Sequence, residues 1–147
     1  MVHWLLPPGD KEAMLKMLPL FERCSRRELQ RVAAMAVDEQ RSAGEVLTRQ
    51  GENGAVAYVI VAGEAEVVRD GQVLARLGPG DMVGELCLLD GAPRSATVRT
   101  TAETRVVALA AEDFQALIAE LPELSLQVLA VLAGRLRRAD ERMAALL

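Results

Sequence analysis

Residues 80–100 read GDMVGELCLLDGAPRSATVRT, and in this stretch Glu85 and Arg94 stand among small and apolar residues. A charge taken out of water is costly unless it finds a partner. One explanation is an ion pair between the two side chains that braces a loop. The other is that each charged side chain contacts a bound molecule.

The length and composition favour a single domain, residues 1–147. Of the 147 residues 51% are hydrophobic, which is enough to bury a sizeable core. The net charge of −4 argues against a general nucleic-acid surface. Cys24 and Cys87 lack CxxC spacing, as expected of small buried side chains in a reducing compartment. The opening MVHWLLPP is too short to span a bilayer and lacks signal-peptide features, so we expect a cytoplasmic protein without membrane insertion.

Residues 1–36 carry the pattern of short helices. Asp10 is suited to cap a helix that runs to about Met17 and ends at the following LPLF. Ser25 with Glu28 three positions later is the pattern of a capping box. A second helix is therefore predicted after Ser25, with an apolar face formed by Leu29, Val32, Ala33 and Ala36.

Residues 37–110 change to short runs of alternating or β-branched residues, which predict strands. These runs are EVLTRQ, AVAYVIV, EAEVVRD, QVLARL, SATVRT and RVVALA, with glycine-rich turns between them. Asp70-Gly71 between two such runs predicts a hairpin. Short strands at even spacing indicate an antiparallel, jelly-roll-like β-roll that closes on itself. The predicted fold class is α+β, with this roll flanked by N-terminal helices and two C-terminal helices.

Residues 111–147 return to a helical period. Pro122 suits the first turn of a long final helix that follows a shorter one. The long helix carries a stripe of apolar residues at alternating three- and four-residue spacing, typical of a coiled-coil seam. The stripe consists of Leu129, Leu132, Leu136, Ala139, Met143 and Leu146. It either joins two chains into a homodimer or packs on the chain's own roll, and the sequence leaves both open.

The turn residues of the opening stretch suit an anion. Gly84 allows close backbone approach and opens a single predicted helical turn, ELCLL, whose free N–H groups favour negative charge. Arg94 follows Pro93, which restricts the backbone, and a guanidinium offers forked donors to phosphate oxygens. Ser95 and Ala96 have small side chains that leave their N–H groups accessible. These residues predict a phosphate site.

Glu85 has a different role from Arg94 in this interpretation. A carboxylate repels phosphate but accepts a hydrogen bond from a hydroxyl, such as that of a ribose. A base needs an apolar wall. Residues suited to form that wall are Val67, Leu77, Val83 and Leu86. The implied ligand is a nucleotide with one phosphate.

The stretch from 80 to 100 resembles the phosphate-binding cassette of cyclic nucleotide-binding domains, as in catabolite activator proteins and protein kinase A regulatory subunits. The resemblance extends upstream through GEVLTRQGENGAVAYVIVAGEAEVV and downstream through EDFQALIAELPEL into the long helix. It implies that Glu85 accepts from the ribose 2′-hydroxyl and that Arg94 binds the cyclic phosphate. It also implies that Gly84, Leu86 and Cys87 supply the backbone and wall of the helical turn.

Ser95 bears on which cyclic nucleotide is bound. In the family that this sequence resembles, cGMP-selective sites often carry threonine at this position and many kinase-type cAMP sites carry alanine. The bacterial catabolite activator carries serine. Ser95 therefore favours cAMP, with cGMP as the alternative because a hydroxyl also suits guanine.

The final helix departs from the family pattern at the base. Activator-type domains cap the base with small hydroxylated residues, where this sequence has Ala139 and Asp140. Arg135 or Arg138 is a candidate to replace that contact by stacking on the base. The alternative for each arginine is a solvated face or an interhelical salt bridge.

The resemblance implies a regulatory signalling module whose C-terminal helices shift when the nucleotide binds. The effector that it acts on is not identified by the sequence. Direct nucleic-acid binding is not expected, because no winged helix-turn-helix of the activator type follows the long helix. A structural or interaction domain that keeps the roll but binds no ligand is the alternative.

An enzyme is not expected. The single histidine, His3, precedes the roll, so neither a metal site nor a serine or cysteine nucleophile has a histidine partner within it. We therefore expect no catalytic residue, no metal and no cofactor other than the nucleotide ligand.

Overall fold

The computed structural model describes residues 11–84 and 93–146. Its helices are α1 (Lys11–Lys16), α2 (Arg26–Met35), α3 (Ala111–Glu120) and α4 (Pro122–Leu146), with a 3-10 turn at Pro19–Phe21. Its strands are β1 (Val37–Arg41), β2 (Val46–Thr48), β3 (Val56–Ala62), β4 (Ala65–Arg69), β5 (Gln72–Leu77), β6 (Met82–Val83), β7 (Thr97–Thr100) and β8 (Thr104–Ala110). Helices precede and follow the strands, in the predicted order.

The predicted capping box is present at the start of α2. The Ser25 hydroxyl accepts from the Glu28 N–H at 3.2 Å, and the Glu28 carboxylate accepts from the Ser25 N–H at 2.8 Å. These bonds satisfy two N–H groups at a helix start that would otherwise lack partners. At the other end of α2, the Lys11 ammonium donates to the carbonyls of Ala33 and Ala36, both at 2.8 Å.

Two antiparallel sheets form the roll, and this confirms the predicted fold class. Their strand orders are β1-β8-β3-β6 and β2-β7-β4-β5. The predicted hairpin joins β4 to β5, with φ of 51° at Asp70 and 80° at Gly71, the left-handed values that a two-residue hairpin turn favours. Strands β1 and β6 were not predicted, because VDEQR is mostly polar and Met82–Val83 has only two residues.

The long strand β3 is buried on both faces. Ala57 and Val59 pack into a core shared with the helices, whereas Tyr58 and Ile60 pack inside the roll. A strand buried on both sides reads as a continuous apolar run and not as an alternating one. The roll therefore has an apolar interior of its own and a second core on its outer, helical side.

The apolar stripe of α4 divides between that helical core and solvent. Leu132 packs against the core. Leu129, Leu136 and Met143 are instead 60%, 65% and 66% exposed. Packing on the chain's own roll therefore accounts for Leu132 but not for the other three residues.

A buried ion pair fastens β1 to β8. Arg105 donates through Nε and Nη2 to the two carboxylate oxygens of Asp38, at 2.9 and 2.6 Å. The Arg105 side chain is 5% exposed. Hydrogen bonding to Asp38 raises the pKa of the Arg105 guanidinium, although burial opposes the shift. A cation at this depth depends on its carboxylate for compensation of its lost hydration.

We expect Asp38→Ala to lower the free energy of unfolding by about 3 kcal/mol, because the buried Arg105 guanidinium loses its two charge-assisted hydrogen bonds to Asp38. Urea denaturation followed by circular dichroism measures this change. Arg76→Ala is the control, since it breaks a pair with Glu64 in which the two side chains are 73% and 46% exposed. The control should cost less than about 1 kcal/mol. Equal losses in the two variants would contradict a special contribution from the buried pair.

Candidate functional site

Part of the predicted site can be located in the structure. Glu85, Leu86 and Cys87 lie outside the described residues, as does the helical turn predicted to begin at Gly84. The role of Glu85, whether toward a ribose or toward Arg94, therefore stays a prediction. The site residues that are described are Gly84, Arg94, Ser95, Ala96, Val67, Val83 and Arg135.

The backbone of Arg94 is held by the loop between β2 and β3. The Arg94 N–H donates to the carbonyl of Glu52 at 2.8 Å, and the Gly51 N–H donates to the carbonyl of Arg94 at the same distance. This pair of bonds resembles one rung of an antiparallel ladder. It fixes the position of the Arg94 α-carbon although Arg94 precedes the start of β7.

The Arg94 side chain is buried, with 7% of the residue exposed. Its Nη1 donates to the carbonyl of Gly84 at 2.7 Å, and its Nη2 donates to the carbonyl of Val56. Both acceptors are neutral. Within 11–84 and 93–146, no carboxylate oxygen lies within 4.0 Å of the guanidinium. The geometry is that of a cation oriented by carbonyls and suited to an external anion.

The Gly84 backbone lies close to the Arg94 guanidinium, whereas its predicted close approach to a bound group stays a prediction. Its φ is +85°, and a β-carbon at this position would lie 2.0 Å from Nη1 of Arg94. The backbone conformation therefore favours glycine at residue 84, and a side chain there would displace the Arg94 guanidinium. The glycine allows the carbonyl of residue 84 to meet the guanidinium directly.

The predicted apolar wall belongs to the interior of the roll. Val83 is 2% exposed and lies in the same buried cluster as Tyr58 and Ile60. Val67 and Leu77 are partly buried and pack against this cluster. These three residues therefore belong to or pack against one apolar cluster, and their role as a wall for a base remains a prediction.

The two residues after Arg94 have different surroundings. Ser95 is exposed, and its carbonyl accepts from Nε of Arg69 at 2.9 Å. Ala96 is buried, and its carbonyl accepts from the Thr48 hydroxyl at 3.4 Å. Arg69 thus holds the segment that carries Arg94, and no residue pattern predicts this contact.

Arg135 joins the final helix to the roll. Its guanidinium donates to the carbonyl of Met82 in β6, two residues before Gly84. Burial lowers the pKa of Arg135, while Asp81 opposes this shift and Arg138 reinforces it. The contact with β6 differs from the predicted solvated face, and stacking of Arg135 on a base stays a prediction.

Sequence reasoning did not anticipate the groups that hold Arg94. These groups are the backbone atoms of Gly51, Glu52 and Val56. Every residue type has a backbone carbonyl, so the sequence cannot show which carbonyl accepts from Arg94. The two glycines of GENG are the only feature here that favours a close contact with the backbone. The β2–β3 loop is therefore part of the site.

The described residues also bear on metal and membrane sites. No three histidine, cysteine, aspartate or glutamate side chains among them are grouped to hold a metal ion. Among the same residues, no single helix is long and apolar enough for a membrane span. Helices α3 and α4 meet these criteria only when they are taken together, and the pair is bent by 112°.

Comparison with known proteins gives consistent matches. The profile described as cyclic nucleotide-binding domain matches residues 39–120. A CRP-like cAMP-activated global transcriptional regulator of Mycobacterium tuberculosis is 38% identical over 71% of this chain and 49% of its own length. A cAMP-dependent protein kinase regulatory subunit of Mycosarcoma maydis is 38% identical over 75% of this chain and 23% of its own length.

A solved structure has the same fold. The catabolite activator protein of Thermus thermophilus superposes with a TM-score of 0.77 at 34% identity, over 87% of this chain and 62% of its own. This chain spans about half the length of the first curated relative, so the relatives contain further segments.

An anion site at Arg94 can be tested with sulfate. Sulfate stabilises proteins generally by exclusion from their surface, so wild type is compared with Arg94→Leu at equal ionic strength. At ten times its Kd, specifically bound sulfate adds about 1.4 kcal/mol and raises the melting temperature by roughly 4–5 °C. We expect this extra rise in wild type only, measured by differential scanning calorimetry. Equal shifts in the two proteins would contradict the site.

Proposed function

The chain belongs to the cyclic nucleotide-binding domain family, and from this membership we propose that it is a sensor module that binds cAMP. Binding transmits a shift to the C-terminal helices, and these act on an effector. The chain acts as a regulator and not as an enzyme. This proposal is supported by its named relatives, which are a transcriptional regulator and a kinase regulatory subunit.

The observation that carries the proposal is the buried Arg94 cation. Its described hydrogen bonds go to two neutral carbonyls, and these orient the guanidinium without cancelling its charge. A cyclic phosphate carries one negative charge and two free oxygens, which match a guanidinium fork. The phosphate therefore supplies the compensation that a buried charge requires.

The preference for cAMP over cGMP has separate support. Ser95 follows the phosphate arginine, as in the catabolite activators that the sequence resembles. The names of both curated relatives include cAMP. The base would lie against the apolar surface of Val67, Leu77 and Val83, which pack together in the roll. Glu85 is proposed to accept from the ribose 2′-hydroxyl.

A route from the site to the final helix runs through β6. Arg135 of α4 donates to the Met82 carbonyl, and Arg94 donates to the Gly84 carbonyl two residues further on. A backbone movement at Gly84 on ligand binding is therefore expected to move the Met82 carbonyl, and with it the hydrogen bond from Arg135. This supports a shift of the C-terminal helices, since a ligand that contacts two conformations differently changes their populations.

Isothermal titration calorimetry with cAMP, cGMP and 5′-AMP tests the proposal. We expect cAMP to bind at micromolar concentration or more tightly, and more tightly than the other two. Arg94→Leu should weaken cAMP binding by roughly 2–5 kcal/mol, because it removes the charged partner of the phosphate.

The outcomes of this titration separate the alternatives. Heat from none of the three nucleotides would favour a roll that binds no ligand. Binding of cGMP more tightly than cAMP would contradict only the proposed preference for cAMP, and not the binding of a cyclic nucleotide. Unchanged affinity in Arg94→Leu would overturn the phosphate role of Arg94.

We also propose that two copies associate through α4. The exposed residues Leu129, Leu136 and Met143 follow the spacing of a coiled-coil seam. Single exposed apolar side chains are common, but a stripe of them along one helix face is typical of an interaction surface. A second copy of the same helix is the partner whose pattern matches.

Sedimentation equilibrium tests this association. Wild type should sediment as a dimer of a 15.9 kDa chain, and Leu136→Glu should shift it to the monomer because two carboxylates would meet in an apolar seam. Ala130→Glu introduces the same charge at an exposed position off the stripe and should leave the dimer intact. A monomeric wild type, or an unchanged mass in Leu136→Glu, would contradict the dimer.

A further inference from the structure

Gly54 lies in the β2–β3 loop, and its backbone conformation does not require glycine. Its φ is outside the left-handed region, unlike that of Gly84. Any L-residue can adopt such a backbone. If glycine matters at this position, the reason lies in the space that a side chain would occupy.

That space is taken by the Arg94 guanidinium. A β-carbon on residue 54 would lie 2.2 Å from Cζ, 2.2 Å from Nε and 2.4 Å from Nη2 of Arg94. These distances are far inside van der Waals contact. The guanidinium therefore lies directly against the backbone of residue 54, with the Val56 and Gly84 carbonyls bonded to its nitrogens.

We propose that Gly54 is a positioning residue for Arg94, and that its lack of a side chain sets the affinity for the nucleotide phosphate. The proposal rests on the proposed function. Because the atoms in conflict are at the far end of a flexible side chain, alanine at position 54 is accommodated by movement of the guanidinium. The fold is kept, and the cation leaves the position in which the two carbonyls orient it.

Gly78→Ala is a matched control for Gly54→Ala. Gly78 also has a φ outside the left-handed region, and a β-carbon there would meet no heavy atom within 4 Å. Calorimetric titration with cAMP should show a loss of about tenfold to a hundredfold in Gly54→Ala, the equivalent of one charge-assisted hydrogen bond. Gly78→Ala should bind as wild type does. Circular dichroism verifies that both variants are folded.

A double-mutant cycle separates positioning from a general effect on the loop. The Arg94→Leu variant has no guanidinium for a β-carbon on residue 54 to displace. In this background Gly54→Ala should therefore cause no further loss of cAMP affinity. Competition with a fluorescent cAMP analogue measures the weak affinities in this background. An equal loss in both backgrounds would overturn the positioning role.

The proposed function and this inference fail in different ways. A wild-type protein that binds no cyclic nucleotide would overturn both. A wild-type protein that binds cAMP, together with a Gly54→Ala variant that binds it equally well, would overturn the inference and leave the proposed function intact.

Discussion

The buried Arg94 guanidinium is the constraint around which the site is built. It is 7% exposed, and its described acceptors are the carbonyls of Val56 and Gly84. Carbonyls orient a cation but do not neutralise it, so this guanidinium is suited to bind an anion.

The roll explains how these distant carbonyls come together. Strand β6 pairs with β3 so that Val83 lies opposite Tyr58, and this brings Gly84 close to the beginning of β3 at Val56. The β2–β3 loop then holds the backbone of Arg94 through Glu52. Two segments of the chain, residues 51–56 and the end of β6 at Gly84, thus meet at Arg94, and each is positioned by sheet pairing or a close backbone bond.

Local patterns in the sequence were sufficient to predict much of the fold. The capping box at Ser25 and the Asp70-Gly71 hairpin depend on neighbouring residues, and both were correctly placed. Arg94 was also identified from its own segment. The contact of Arg135 with Met82 spans 53 positions and uses a backbone acceptor, so no residue pattern could predict it. The proximity of Gly54 to the Arg94 guanidinium likewise joins residues 40 positions apart, so the local pattern around Gly54 predicts only a turn.

A crystal structure of the protein with cAMP tests the central claim most directly. The account predicts a phosphate oxygen within about 3 Å of an Arg94 guanidinium nitrogen, with the guanidinium still against Gly54 and bonded to the Val56 carbonyl. A phosphate bound elsewhere, with Arg94 retaining only its carbonyl partners, would contradict it.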